Sequence, residues 1–389
     1  MRPRLSFTSI FKQVYIKAQI KRCGTVLFFL MLGLFSGALT VELGLRLVGY
    51  GCVSYLGYGP LQNALGIPEI GYGGRPYVEG IQSREGFSQL KLNRLGFHDI
   101  EHSPVKSPQT KRIAVFGNSF TMCAQVPTDA CYVQQLETAL NTCLKNEKVE
   151  TVNYGVDGYS LEQSFLLLQK VLTENQPDLI LLQVVLYPFN NELDTGSRKA
   201  PDIRFTQDGQ PIVEAPFLHR TDYKMRASWI YTLFQKVSDH FRLLQYLNEY
   251  RRVAFVGKAK EQPEASDPVS RTHYWQTRFE VLEGLVKMTR AKGVPLFIVL
   301  TPAGGETETG DEPDIEKDGA IKWHEATARL NVPVLDVRKE FHAKSLADKT
   351  YYFGYGHESG QGHLNVYGNA VFANLLSSKL CPVLLTKGD

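Results

Sequence analysis

From residue 112 onward, short apolar runs alternate with longer segments of helical period, and few folds accommodate that alternation. "RIAVFG" (112–117), "VETVNYG" (149–155), "PDLILLQVV" (177–185), "VPLFIVL" (294–300) and "NVPVLDV" (331–337) read as strands. Residues 131–145 and 275–291 carry helical patterns, and Leu161, Phe165, Leu168 and Leu172 recur on one helix face. The third strand is apolar without alternation, as expected of a strand covered on both sides. The expected fold class is α/β: a three-layer, flavodoxin-like parallel sheet of about five strands with helices on both faces. Ligands of such sheets sit beyond the carboxyl ends of the strands. Ser119, Gly155 and Asn190 all fall just past a strand end.

The N-terminus obeys a different rule. Arg2, Arg4, Lys12, Lys17, Lys21 and Arg22 face no acidic residue and lead into the uncharged run 23–41. As a helix that run spans roughly 28 Å, close to the thickness of a hydrocarbon core. The basic lead predicts a cytoplasmic tail over 1–22, a transmembrane anchor over 23–47 and the remaining chain outside, in the periplasm or exterior. The corresponding location is the inner membrane, crossed once. A cleaved signal peptide is the rival reading, through the small pair Ser36 and Ala38. "GYGC" lacks the Leu expected three residues before a lipoprotein Cys52. Glu42 and Arg46 stand four apart, so a helix would pair them at the membrane boundary.

The 43 Lys and Arg nearly balance the 40 Asp and Glu, and no dense basic stripe lies beyond the N-terminus, which argues against a nucleic-acid partner. Outside the cytoplasm, cysteines can pair. Cys123 and Cys131 flank a short loop, and Cys143 and Cys381 form a second candidate pair, with free buried thiols as the alternative. Residues 48–110 are rich in Gly, Tyr and Pro without a sustained period and read as a tether and lead-in. The domain proper is expected over 111–389, interrupted at about 197–274 by an insertion packed over or beside the site. That insertion includes an aromatic-rich helical stretch from Ser228 to Tyr250.

Four blocks resemble the SGNH or GDSL-type hydrolases, in family order: "FGNSFT" (116–121), "VNYGVDGYS" (152–160), "LYPFNNELD" (186–194) and "GHLNVYGNAVFANLL" (362–376). The likeness covers roughly residues 90–380 and is greatest to membrane-anchored bacterial members, whose apolar helix ends in a stretch like "ELGLRL" here. It implies a serine nucleophile at Ser119 with His363 as its base, since a serine hydroxyl attacks only when its proton is taken. It also implies oxyanion donors from the backbone N–H of Ser119, the backbone N–H of Gly155 and the Asn190 side chain, with Asn191 as the offset alternative. Taken singly, Ser119 reads as a helix N-cap, Gly155 as a turn glycine and His363 as a surface histidine.

Three departures bear on activity. Asn118, Asn191 and Gln361 stand where the family carries Asp. The expectation is a weakened Ser119–His363 dyad, with the Gln361 carbonyl orienting the imidazole or Glu358 supplying charge. No cofactor or metal is called for: "HESGQ" (357–361) lacks the second zinc histidine, and "AGGETETG" (303–310) has no following Lys. The expected substrate is an acyl ester, on a polysaccharide or a lipid. An O-acyltransferase using the same residues, or a decayed glycan-binding or partner-binding protein, are the alternatives.

Overall fold

In a computed structural model, the described residues are 7–145, 147–186, 200–259, 268–302, 314–356 and 359–385. The chain begins with helix α1 (Phe7–Leu47), followed by four short strands: β1 (Leu56–Tyr58), β2 (Tyr72–Gly74), β3 (Glu79–Gln82) and β4 (Ser88–Lys91). The alternating part runs β5 (Thr110–Gly117), α2 (Ser119–Met122), α3 (Tyr132–Cys143), β6 (Lys148–Gly155), α4 (Leu161–Glu174) and β7 (Leu179–Val185). An insertion of β8 (Asp202–Phe205), β9 (Pro211–Glu214), α5 (Thr221–Arg226), α6 (Trp229–His240) and α7 (Arg242–Ala259) follows. The chain closes with α8 (Pro268–Ala291), β10 (Leu296–Thr301), α9 (Asp314–Leu330), β11 (Val334–Asp336), α10 (Arg338–Asp348) and α11 (Val366–Leu385).

Five strands form one parallel sheet in the order β11-β10-β7-β5-β6, which in chain order is the flavodoxin-like 2-1-3-4-5 arrangement. The sheet separates two cores. Ala114 and Phe116 of β5 face a core shared with α4, α8 and α9. Ile113 and Val115, of opposite parity, face a second core shared with α3, α10 and α11. Burial on both faces explains why these strands read as apolar runs. Ser160 caps α4 in a reciprocal box with Gln163, an arrangement worth about 1 kcal/mol.

Among the described residues, two helices are long and apolar enough to cross a membrane. α11 buries Phe372, Leu376 and Leu380 in the second core, as an internal helix does. The other, Gln19–Leu47 within α1, leaves its apolar surface almost wholly outside the protein. Its last turns are fastened to the insertion. Arg46 pairs with Glu42 at 2.7 Å and donates to the His240 carbonyl at 2.6 Å, while Glu42 accepts from Leu243 N at 2.8 Å.

Residues 48–110 are not a tether. β1–β2 and β3–β4 are antiparallel ribbons. Val53, Tyr55, Val78, Leu90 and Leu92 pack with Met122 and Ala124 into a third apolar cluster against the α2 region. Several of the segment's glycines serve close contacts, which is why its composition resembled a linker. At Gly74 a Cβ would collide with the Gly96 carbonyl. Both expected cysteine pairs are disulfides, Cys123–Cys131 with Cα atoms 5.6 Å apart and Cys143–Cys381 at 6.4 Å, the latter joining α3 to α11. Cys23 is exposed and Cys52 buried, both as thiols.

Candidate active site

β5 ends in Gly117, where any side chain would strike Thr121 and Gln183. The chain can therefore turn sharply into α2. Asn118 caps that helix by accepting from Phe120 N at 3.1 Å, and its own N–H reaches Gln183 Oε1 at 3.2 Å. The capping task thus falls to Asn118, the residue found where the family has Asp, and the Ser119 hydroxyl is released from it. Ser119 Oγ lies 2.8 Å from His363 Nε2. Phe120 packs against the imidazole, ring centroids 4.8 Å apart.

The other side of the ring meets a residue that the motifs did not mark. His363 Nδ1 is 2.7 Å from Glu85 Oε2, and the His363 backbone N–H donates to Glu85 Oε1 at 2.6 Å. Glu85 stands in the turn between β3 and β4. Burial raises its pKa, but the ring and backbone of His363 and the amide of Gln125 outweigh burial and hold it below the ordinary carboxylate range. A Cβ at Gly362 would collide with Glu85 Oε1, so glycine there admits the carboxylate. Gly86 makes similar room for the Tyr355 ring.

Gln361 does not take the place of the acid. Gly360 and Gly362 both have positive φ, at 88° and 85°, and the exposed Gln361 lies between them. Asn190, Asn191, Glu358 and the stretch 303–310 lie outside the described residues. Gly155 occupies the expected strand end, but its N–H donates to Asn153 Oδ1 at 2.8 Å and is committed there. Its lack of a side chain lets α2 pack on β6, since a Cβ would collide with Met122 N and Thr121. The Ser119 N–H opens the first turn of α2, where helix geometry supplies no partner.

Ser119, His363 and Glu85 line a cavity of about 250 Å³ together with Tyr55, Arg84, Asp157 and Arg252. Tyr55 donates to Asp157 at 2.9 Å. Arg84 and Arg252 share the Glu249 carboxylate, at 2.8 and 2.6 Å, so the insertion's α7 forms one wall.

Buried polar groups brace the site from behind. Asn153 Nδ2 donates to the Thr121 carbonyl at 2.7 Å, and its N–H reaches Asp99 Oδ2 at 2.7 Å. His102 bridges Asp99 at 2.9 Å and Glu150 at 2.7 Å. Burial lowers the His102 pKa, but these two carboxylates outweigh it and raise it to about 9. His98 has no such partner, and burial lowers its pKa to about 4. It is neutral near pH 7, and Nδ1 lies 2.8 Å from the Met122 carbonyl at the end of α2. Among the described residues, no group of three or more His, Cys, Asp or Glu is placed to hold a metal ion.

No family model matches the chain, and no curated protein matches it. Among solved structures it is similar to the acetyl xylan esterase AlAXEase, at 13% identity and a TM-score of 0.40, covering 69% of this chain and 99% of that one. It is also similar to a catalytic mutant of the acetylxylan esterase Axe2 from Geobacillus stearothermophilus, at 10% and 0.40, covering 72% and 96%. A third is the psychrotrophic esterase EstA from Pseudoalteromonas sp., at 9% and 0.37, covering 70% and 98%. Likeness this distant says nothing of what the cavity accepts.

Proposed function

We propose that the chain is a serine ester hydrolase of the SGNH type, held at the inner membrane by α1 with its catalytic domain outside the cytoplasm. The observation that carries this reading is the hydrogen-bonded line from Ser119 Oγ through both nitrogens of His363 to Glu85. Ser119 attacks the ester carbonyl while His363 Nε2 takes its proton, and Glu85 offsets the charge of the imidazolium. The tetrahedral oxyanion is met by the Ser119 N–H, with the Asn190 amide as the proposed second donor. His363 then returns the proton to the departing alcohol, leaving an acyl ester on Ser119. Water attacks this ester with His363 as base, which releases the acid and restores Ser119.

Glu85 supports an enzyme of ordinary strength in place of the weakened dyad expected from Gln361. The use of Glu42 and Arg46 in the fold favours a retained anchor over a cleaved signal, because cleavage after Ala38 would leave the docked turn without the span that precedes it. The one-sided basic tail and the two disulfides favour an extracytoplasmic domain. The substrate is an acyl ester of an envelope glycan or lipid.

The test is covalent labelling of the full chain by a fluorophosphonate, with the modified peptide identified by mass spectrometry. Labelling is expected on Ser119 and is lost in Ser119→Ala. Labelling that survives that substitution, or none in the wild type, overturns the reading.

A further inference from the structure

Helices α6 and α7 are amphipathic the wrong way round. On α6, Trp229, Ile230, Leu233, Phe234 and Val237 fall on one face, and that face is outside: Trp229 is 67% exposed and Ile230 62%. The inward residues are polar, with Gln235 2% and Ser238 5% exposed. Gln235 is bound to Ser54 Oγ and the Leu56 carbonyl, at 3.1 and 3.0 Å. α7 repeats the inversion. Tyr246, Leu247, Tyr250 and Val253 are exposed, while Gln245 is buried and receives the Cys52 N–H at 2.9 Å. Such a pair stands in water at a cost, since each exposed apolar side chain of this size forgoes the gain of burial.

The position of the pair indicates what covers it. Glu42 and Arg46 fix the end of the apolar span to the α6–α7 corner at His240 and Leu243. Tyr50, just past α1, packs on Tyr246 at 5.7 Å, and Tyr246 stacks on Tyr250 at 6.5 Å. An aromatic row thus continues from the end of the span along α7, with Phe241 exposed at the corner. Trp and Tyr favour the level of lipid headgroups. Basic Lys236 and Arg251 are exposed on the same two helices, as in helices that rest on a bilayer surface.

We propose that the outward face of α6 and α7 lies in the phospholipid leaflet into which α1 runs, so the domain rests on the membrane. The inference builds on the membrane anchoring proposed above for α1. α7 begins at this contact and supplies Arg252 to the cavity of Ser119, roughly 15 Å further along the helix. The cavity therefore opens near headgroup level, where a lipid-borne acyl ester is presented.

The test uses the full chain in phosphatidylcholine vesicles, with and without brominated acyl chains. The Trp229 emission is obtained as the difference between wild type and Trp229→Phe, which subtracts Trp275 and Trp323. A fluorophore on Cys23, the exposed thiol, reports α1 separately. Loss of the Trp229 component in brominated vesicles is expected, together with quenching at Cys23. Quenching at Cys23 with Trp229 unaffected overturns the proposal and leaves the anchor standing. Quenching of Trp229 alone supports the surface contact and removes the anchor. A blue-shifted Trp229 that the bromines do not reach indicates a protein partner or second copy on this face, and overturns the proposal.

Discussion

Glu85 Oε2 lies 2.7 Å from His363 Nδ1, although 278 residues separate them in the chain. The same carboxylate receives the His363 backbone N–H, so one side chain sets both the ring and the loop that carries it.

Glu85→Gln keeps the shape of this contact and removes its charge. It should lower kcat by about 10²- to 10⁴-fold while leaving KM nearly unchanged, because the charge acts on the imidazolium formed during attack. Glu85→Asp should retain part of the activity. Gln361→Asp should gain nothing, since position 361 is exposed and Glu85 already occupies Nδ1 of the ring. Steady-state hydrolysis of a soluble acyl ester by the three variants decides the matter. A rise in turnover for Gln361→Asp would restore the view that the acid is missing.

Gly362→Ala and Gly360→Ala impose the same backbone strain at different places. Each should destabilise the fold by more than about 1 kcal/mol, read from the denaturation midpoint, because alanine disfavours positive φ. Only the change at 362 also drives a methyl group into Glu85. kcat should therefore fall for Gly362→Ala and survive in Gly360→Ala. Equal losses in both variants would mean that the loop, and not the carboxylate contact, governs activity.

His102 makes stability depend on pH. Its folded-state pKa of about 9 lies above the ordinary 6.5, so its contribution is complete below 6.5 and is lost as pH rises through about 9. Thermal melts of wild type should show Tm falling across that window. In His102→Gln the fall should be shallower, with a lower Tm at the acid end. Parallel curves for the two proteins would remove His102 as the cause.

The sheet was legible because its strands are covered on both faces and so read as continuous apolar runs. Leu161, Phe165, Leu168 and Leu172 disclosed α4 in the same way. Ser119 and His363 were legible only through four blocks standing in order, since singly they read as a cap and a surface histidine; the structure brings the two side chains together and gives the cap to Asn118. Glu85 was not legible. The alternation of Leu90 and Leu92 and the glycine at 86 could have announced a hairpin, but nothing in a single sequence distinguishes a glutamate in a turn from a solvated one. Gln361 has the spacing expected of the acid, yet it is exposed between two left-handed glycines, and Glu85 fills the position. Gly155 was placed correctly on the strand end, yet its N–H was already taken by Asn153, a local bond that residue order does not reveal.

The distance in sequence between Glu85 and His363 also governs when the site can assemble. Glu85 and Ser119 leave the ribosome together, and His363 follows more than two hundred residues later. Cys381, which ties α11 to α3, arrives later still. A nascent chain therefore holds Ser119 without its imidazole partner until residue 363 has emerged. Any product ending before residue 363 lacks the hydrogen-bonded line from Ser119 through His363 to Glu85, whatever else of it has folded.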